Sequence, residues 1–130
     1  MSLNILIVDD SAMMRAMIKR VTALSDIAVD HIYEAANGAE AIKVLEEHDV
    51  QAIFTDINMP VMTGTELLRT IAANDRWRDL LRVIISTDGS EARRDEVREL
   101  DVRFYVEKPF RPEVMRDVLS SLSAKSPSVQ

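Results

Sequence analysis

Five short apolar runs, each followed by a segment of helical periodicity, leave this chain few ways to fold. Ile5-Leu6-Ile7-Val8, Ala52-Ile53-Phe54-Thr55, Val83-Ile84-Ile85 and Phe104-Tyr105-Val106 are four of them, and a fifth lies within residues 29–35. Strand signals alternating with helix signals favour parallel strands joined by helical crossovers. Strands are expected near 4–8, 29–35, 51–55, 82–86 and 103–107, which makes this an α/β chain.

The helices between them carry their own signals. Near 11–24, Met14, Met17, Ile18, Val21 and Leu24 recur at spacings of three and four, the pattern of one buried stripe, with the methionines as core filler. Asn37 suits the cap of a second helix running to about Glu47, and Glu40, three positions on, can reach back to it. A third helix starts at Gly64 or Thr65, carries Leu67, Leu68 and Ile71, and ends near Asn74. The fourth, near 91–100, is highly charged, with Ala92, Val97 and Leu100 as its apolar contacts, so it has little to anchor it. Pro112 fits the first turn of a fifth helix whose apolar side is Val114, Met115, Val118, Leu119 and Leu122. One domain over residues 1–123 and a short flexible tail over 124–130 are expected, with 47% apolar residues to build a single core.

Several classes of function are disfavoured. With no cysteine there is no disulfide or thiolate metal site, which fits a reducing compartment. No apolar stretch approaches the roughly 20 residues that span a bilayer, and no secretory leader is visible, so a cytoplasmic chain without membrane contact is expected. The formal charge is −6, and residues 1–60 hold ten Asp/Glu against four Lys/Arg, whereas residues 61–130 hold twelve of each. No basic footprint for nucleic acid stands out.

The acidic excess lies where chemistry would be. In an open parallel sheet, ligands bind beyond the carboxyl ends of the strands, where the strand order reverses. Asp9 and Asp10 follow the first apolar run, Asp56 the third, Ser86 ends the fourth and Lys108 comes just after the fifth. Adjacent residues point oppositely on an extended strand, but the chain turns at a strand end and both aspartates can face one crevice. Asp10 or Ser11 also suits the cap of the first helix, and the cap and metal roles can coexist. A third carboxylate at Asp56 makes a hard oxygen site of the kind magnesium favours. A carboxylate nucleophile accepts a phosphoryl group as an acyl phosphate when cations offset the crowded charge. Asp56 suits that role, with Lys108 as a point charge on a phosphoryl oxygen and the Ser86 hydroxyl as a donor. Alone, Lys108 reads as a surface lysine and Ser86 as a turn residue; only together do they suggest a site.

These segments resemble the receiver domains of two-component response regulators, with the CheY-like single-domain type as the nearest pattern. The resemblance spans residues 3 to about 122. It rests on Ile7-Val8-Asp9-Asp10-Ser11, Asn37-Gly38-Ala39-Glu40-Ala41, Asp56-Ile57-Asn58-Met59-Pro60-Val61-Met62-Thr63-Gly64, Ile85-Ser86-Thr87-Asp88-Gly89 and Tyr105-Val106-Glu107-Lys108-Pro109-Phe110. It implies a doubly wound, flavodoxin-like five-stranded parallel sheet of order 2-1-3-4-5 with five helices. It further implies that Asp56 is the phosphoacceptor and that Asp9, Asp10, Asp56 and the Asn58 carbonyl hold Mg²⁺. Ser86 and Tyr105 would be the switch residues, Lys108 would bind the phosphoryl group, and the Lys108-Pro109 bond would be cis. The implied partners are a sensor histidine kinase or phosphotransfer protein and a downstream protein target. That target would read the surface of the fourth helix, fifth strand and fifth helix, which includes Arg94, Arg98, Tyr105 and Arg116. Such a domain catalyses only its own phosphotransfer and dephosphorylation, works in chemotaxis-like signalling or as a phosphate sink, and exists as a monomer or a phosphorylation-dependent dimer.

Departures and leftovers are few. Thr87 stands where the family usually has alanine, and Asn58 and Asp88 occupy positions that in this family modulate dephosphorylation. His31 and His48 lack a partner at metal-ligand spacing and receive no role. Trp77 sits between Arg76 and Arg78 in a polar loop, where an aromatic marks a contact site or, more often, packs on its own domain, so the loop is a contact candidate. The competing reading is a magnesium-dependent phosphatase acting through an aspartyl phosphate, but that pattern wants two aspartates with one residue between them, and here they are adjacent.

Overall fold

The computed structural model describes residues 3–25 and 27–124. Five strands, β1 (Leu3–Val8), β2 (Val29–Ala35), β3 (Ala52–Thr55), β4 (Leu81–Ser86) and β5 (Val102–Glu107), alternate with five helices, α1 (Ala12–Leu24), α2 (Gly38–Glu47), α3 (Gly64–Ala72), α4 (Glu91–Glu96) and α5 (Pro112–Ala124). Every pairing is parallel and the order is β2-β1-β3-β4-β5. The chain moves from β1 out to β2, then returns past β1 to build the other half. The order therefore reverses between β1 and β3, which opens a crevice at their carboxyl ends.

Alternation within the apolar runs divides the core into two layers. Leu6 and Val8 of β1 pack with Ile53, Ile84, Ala41, Leu45, Leu67, Leu68 and Ile71, on the side covered by α2 and α3. Ile5 and Ile7 pack on the opposite side with Phe54, Val83, Ile85, Ile18, Val21, Met115 and Leu119, beneath α1 and α5. Successive side chains on a strand point to opposite faces, so a sheet covered on both sides needs unbroken apolar runs. All four of Ile5 to Val8 are at most 1% exposed. At about 1.5–3 kcal/mol per fully buried aliphatic side chain, β1 is a rigid mount for whatever follows it.

Side-chain caps fix where the helices begin. The Ser11 Oγ accepts from Met14 N at 3.2 Å, and the Asn37 Oδ1 accepts from Glu40 N at 2.9 Å. Glu40 reaches back to Ala36 N, at 2.8 Å, one residue before the cap. Thr63 and Glu66 form a full reciprocal capping box on α3, with Thr63 N donating to Glu66 Oε1 at 2.9 Å and Glu66 N to Thr63 Oγ1 at 3.2 Å.

Four expectations are corrected. The buried stripe of α1 is Met14, Ile18, Val21 and Thr22, turned about one residue around the helix, so Met17 is 47% and Leu24 73% exposed. Thr22 is admitted because its hydroxyl donates to Ile18 O at 2.8 Å. The fourth helix stops at Glu96 and gives way to a 3-10 turn over Arg98–Leu100; Val97 and Leu100 are buried but Ala92 is exposed. Trp77 ends a 3-10 turn (Asp75–Trp77) and is buried against the α2–α3 layer, so its ring is core and not contact surface. Finally, α5 continues through Ala124, into the expected tail, whose remainder lies outside the described residues.

Candidate functional site

Three strand ends meet at the crevice. Asp9 follows β1, Asp56 follows β3, and the register sets Val8 opposite Thr55, so the two carboxylates leave the sheet side by side. Asp9 is 2% exposed and Asp56 9%, whereas Asp10 is exposed. Asp9, Asp10 and Asp56 each offer a carboxylate oxygen within 4.8 Å of the others. The adjacent pair converges because the chain bends at Asp10, just before Ser11 caps α1.

Each carboxylate has a local support. The Asp9 Oδ1 accepts from Ser11 N at 2.9 Å, and Arg15 donates through a terminal guanidinium nitrogen to the Asp9 carbonyl at 2.5 Å. Asp56 N donates to Val8 O at 2.9 Å, and its Oδ1 accepts from Ile57 N at 2.6 Å. Gly64 N donates to Ile57 O at 2.8 Å, and a Cβ on Gly64 would fall 1.9 Å from the Asp56 carbonyl oxygen. Only glycine lets α3 begin against the peptide that carries Asp56.

A cation enters from β5. Lys108 Nζ donates to Asp9 Oδ2 at 2.8 Å and to Asp56 Oδ2 at 3.0 Å, on a side chain only 10% exposed. Lys108 N donates to Ser86 O at 2.8 Å, which ties the lysine to the end of β4. Burial pulls the ammonium pKa down, but the hydrogen bonds and charges of Asp9 and Asp56 outweigh it and leave the pKa above the usual lysine value. The Lys108–Pro109 bond is cis.

Ser86 and Tyr105 meet through Asp88. Ser86 is fully buried and its Oγ accepts from Asp88 N at 3.2 Å. The Tyr105 hydroxyl donates to the Asp88 carbonyl, which holds the half-buried ring inward. Burial, the largest cause, and then the charge of Asp88 push the Tyr105 phenol pKa up. The Asp88 carboxylate turns toward α4, accepting from Ser90 N and from Arg93 Nε at 3.1 Å each, and the Ser90 hydroxyl first, then the Ser90 N–H and Arg93, hold its pKa below the usual carboxylate range.

The structure thus gathers Asp9, Asp10, Asp56 and Lys108, and links Ser86 to Tyr105. Asn58 and Thr87 are exposed, each just beyond its site residue. His31 and His48 both stack with Tyr33, with centroids 5.9 and 4.3 Å away. Sequence reasoning passed over Arg15 and Arg93. Arg15 also pairs with Glu34 at 2.9 Å, 19 residues away, and nothing in its local sequence marks such a partner. A cluster of three carboxylates with a lysine between two of them suits a hard divalent cation, since all its donors are oxygen and the ammonium already balances part of their charge.

A doubly wound parallel sheet with an acidic crevice at its order reversal is the class of protein this architecture defines. Residues 5–120 match the response regulator receiver domain, and the chain belongs to that family. It is 34% identical over 121 residues to a chemotaxis protein CheY homolog of Campylobacter jejuni, covering 92% of each chain. With the chemotaxis protein CheY1 of Helicobacter pylori it shares 34% over 118 residues, covering 90% of this chain and 94% of the relative. Among solved structures, the chemotaxis response regulator CheY4 of Vibrio cholerae superposes with a TM-score of 0.83 at 26% identity, over 94% of this chain and 99% of that one. The N-terminal domain of a Wolinella succinogenes protein gives 0.85 at 25% identity, over 96% and 97%. Receiver domains are signalling modules, and among the described residues no helix is long and apolar enough to cross a membrane.

Proposed function

We propose that this receiver works as a response regulator of a two-component relay, its residues 1–123 forming the receiver, and that it takes a phosphoryl group onto Asp56 from the phosphohistidine of a sensor kinase or phosphotransfer protein. The observation that carries this reading is the contact of Lys108 with both Asp9 and Asp56. An Asp56 carboxylate oxygen bonds to phosphorus as the nitrogen–phosphorus bond breaks, and the histidine nitrogen keeps the electron pair. Lys108 then follows a phosphoryl oxygen, and the Ser86 hydroxyl turns its proton to another. Asp9, Asp10 and Asp56, with the Asn58 carbonyl, would hold Mg²⁺, which when bound would neutralise charge that develops on the transferred group.

The readout is a bias between two arrangements. A phosphoryl group adds strong acceptor oxygens that the Ser86 hydroxyl satisfies, which favours the inward arrangement in which Tyr105 already bonds the Asp88 carbonyl. The partner surface is the groove of about 270 Å³ lined by Arg94, Val97, Arg98, Val102, Arg103 and Tyr105, together with the exposed Arg116 of α5. A protein target docks there, as in chemotaxis relays, a pathway in keeping with the names of the relatives. No observation favours a phosphatase acting on external substrates. Intact-protein mass measurement after incubation with acetyl phosphate tests the reading. A magnesium-dependent single phosphoryl adduct on the wild type, absent from Asp56→Asn, is expected; normal labelling of the variant would overturn the assignment of Asp56.

A further inference from the structure

None of the six residues of α4 is buried. Its placement therefore depends on Val97 and Leu100 just after it and on polar contacts made by its arginines. Arg94 makes three such contacts at once. Its Nε donates to Gly89 O at 3.2 Å, a terminal nitrogen lies 3.8 Å from Glu107 Oε1, and its guanidinium carbon lies 4.4 Å from the centre of the Tyr105 ring.

These contacts converge on one group. Gly89 follows Asp88, whose carbonyl accepts the Tyr105 hydroxyl, and Glu107 precedes Lys108 on β5. Gly89 lies against the end of the Glu107 side chain, where an added Cβ would fall 2.2 Å from Oε1. Arg94 thus covers the face of the ring and holds the peptide next to the ring's hydrogen-bond acceptor. If Tyr105 turned outward, its hydroxyl would lose Asp88 and Arg94 would lose its aromatic partner.

We propose that Arg94 is a positioning residue of the switch: it holds Tyr105 inward and so makes the docking of α4 part of the inward state. The proposal rests on the reading of Ser86 and Tyr105 as switch residues. Neighbouring Arg98 is a built-in contrast, because it pairs with Asp95 on its own helix and its side chain is 73% exposed. A cation over an aromatic face at a partly exposed site shifts a two-state ratio by about two- to five-fold. Arg94, with a side chain 42% exposed, can be replaced without opening the core.

Three-bond nitrogen–Cγ and carbonyl–Cγ couplings of Tyr105 in isotope-labelled, unphosphorylated protein report its χ1 rotamer directly. Arg94→Ala should lower the ratio of inward to outward rotamer by about two- to five-fold. Arg94→Lys should recover part of it, and Arg98→Ala should leave it unchanged. Wild-type couplings in Arg94→Ala, or an equal change in Arg98→Ala, would overturn the proposal. Beryllofluoride with magnesium should restore the inward rotamer in Arg94→Ala. If it does not, the broader reading that couples Tyr105 to Asp56 fails, while the role of Arg94 is still decided by the comparison without beryllofluoride.

Discussion

Lys108 Nζ stands 3.0 Å from Asp56 Oδ2, so a cation from the end of β5 touches the carboxylate at the end of β3 across 52 residues of sequence. The same nitrogen holds Asp9, and it therefore keeps two buried carboxylates together. Lys108→Ala should destabilise the magnesium-free protein by about 3–5 kcal/mol, because removing one partner leaves buried charge uncompensated. Magnesium should restore more stability to the variant than to the wild type. The variant should still be labelled by acetyl phosphate, but with weaker partner binding in response. Thermal melts across a magnesium series, alongside partner-binding assays, check this, and equal magnesium responses would contradict it.

Gly64 is expected to be irreplaceable for a steric reason. The alanine Cβ would collide with the backbone of Asp56 and Ile57, which no rotamer change can relieve. Gly64→Ala should cost about 2–3 kcal/mol and slow phosphoryl uptake, because the peptide carrying the nucleophile has to move. Wild-type denaturation midpoint and labelling rate in this variant would refute the steric account.

Val61 sits at φ 68°, in the left-handed region, with its side chain 82% exposed. A β-branched residue there carries about 1–2 kcal/mol of strain and gains little packing in return. Val61→Gly should raise stability by about 1 kcal/mol, the larger entropy of an unfolded glycine returning part of the gain. Chemical denaturation of the two proteins decides it.

Glu34 on β2 binds Lys19 and Arg15 of α1, at 2.9 Å each, and these bonds, Lys19 first, hold its pKa below the usual glutamate value. A folded value below the unfolded one contributes stability above the ordinary pKa and loses it as pH falls through the folded value. The side chain is 35% exposed, so solvent screening limits the contribution to about 0.5 kcal/mol. Glu34→Gln should therefore be slightly less stable than the wild type near neutrality, and the difference should vanish in acid. Urea titrations at the two pH values measure it, and a constant difference would count against the pairing.

The strands were legible to within a residue or two, because a strand buried on both faces requires the unbroken apolar run that the sequence displays. Asn37 as a cap and Pro112 in a first turn were legible for the same local reason. Met17 and Leu24 were misplaced because periodicity gives the width of an apolar stripe, whereas the neighbours decide which edge of it meets the core. Trp77 looked like a loop aromatic, yet its ring fills the α2–α3 layer and its carbonyl accepts from the buried Arg82, at 2.9 Å.

What the sequence determined by itself was the inventory: which residues end the strands and hence that Asp9, Asp10, Asp56, Ser86 and Lys108 share one edge of the sheet. Only the tertiary structure decided who touches whom there. It set Lys108 between two carboxylates, bound Asp88 to both Tyr105 and Arg93, and laid Arg94 over the tyrosine ring. Strand formation follows from periodicity within a few residues and can be read locally. These contacts span loops and strands distant along the chain, and depend on strand order, register and the direction each side chain takes once the core has packed.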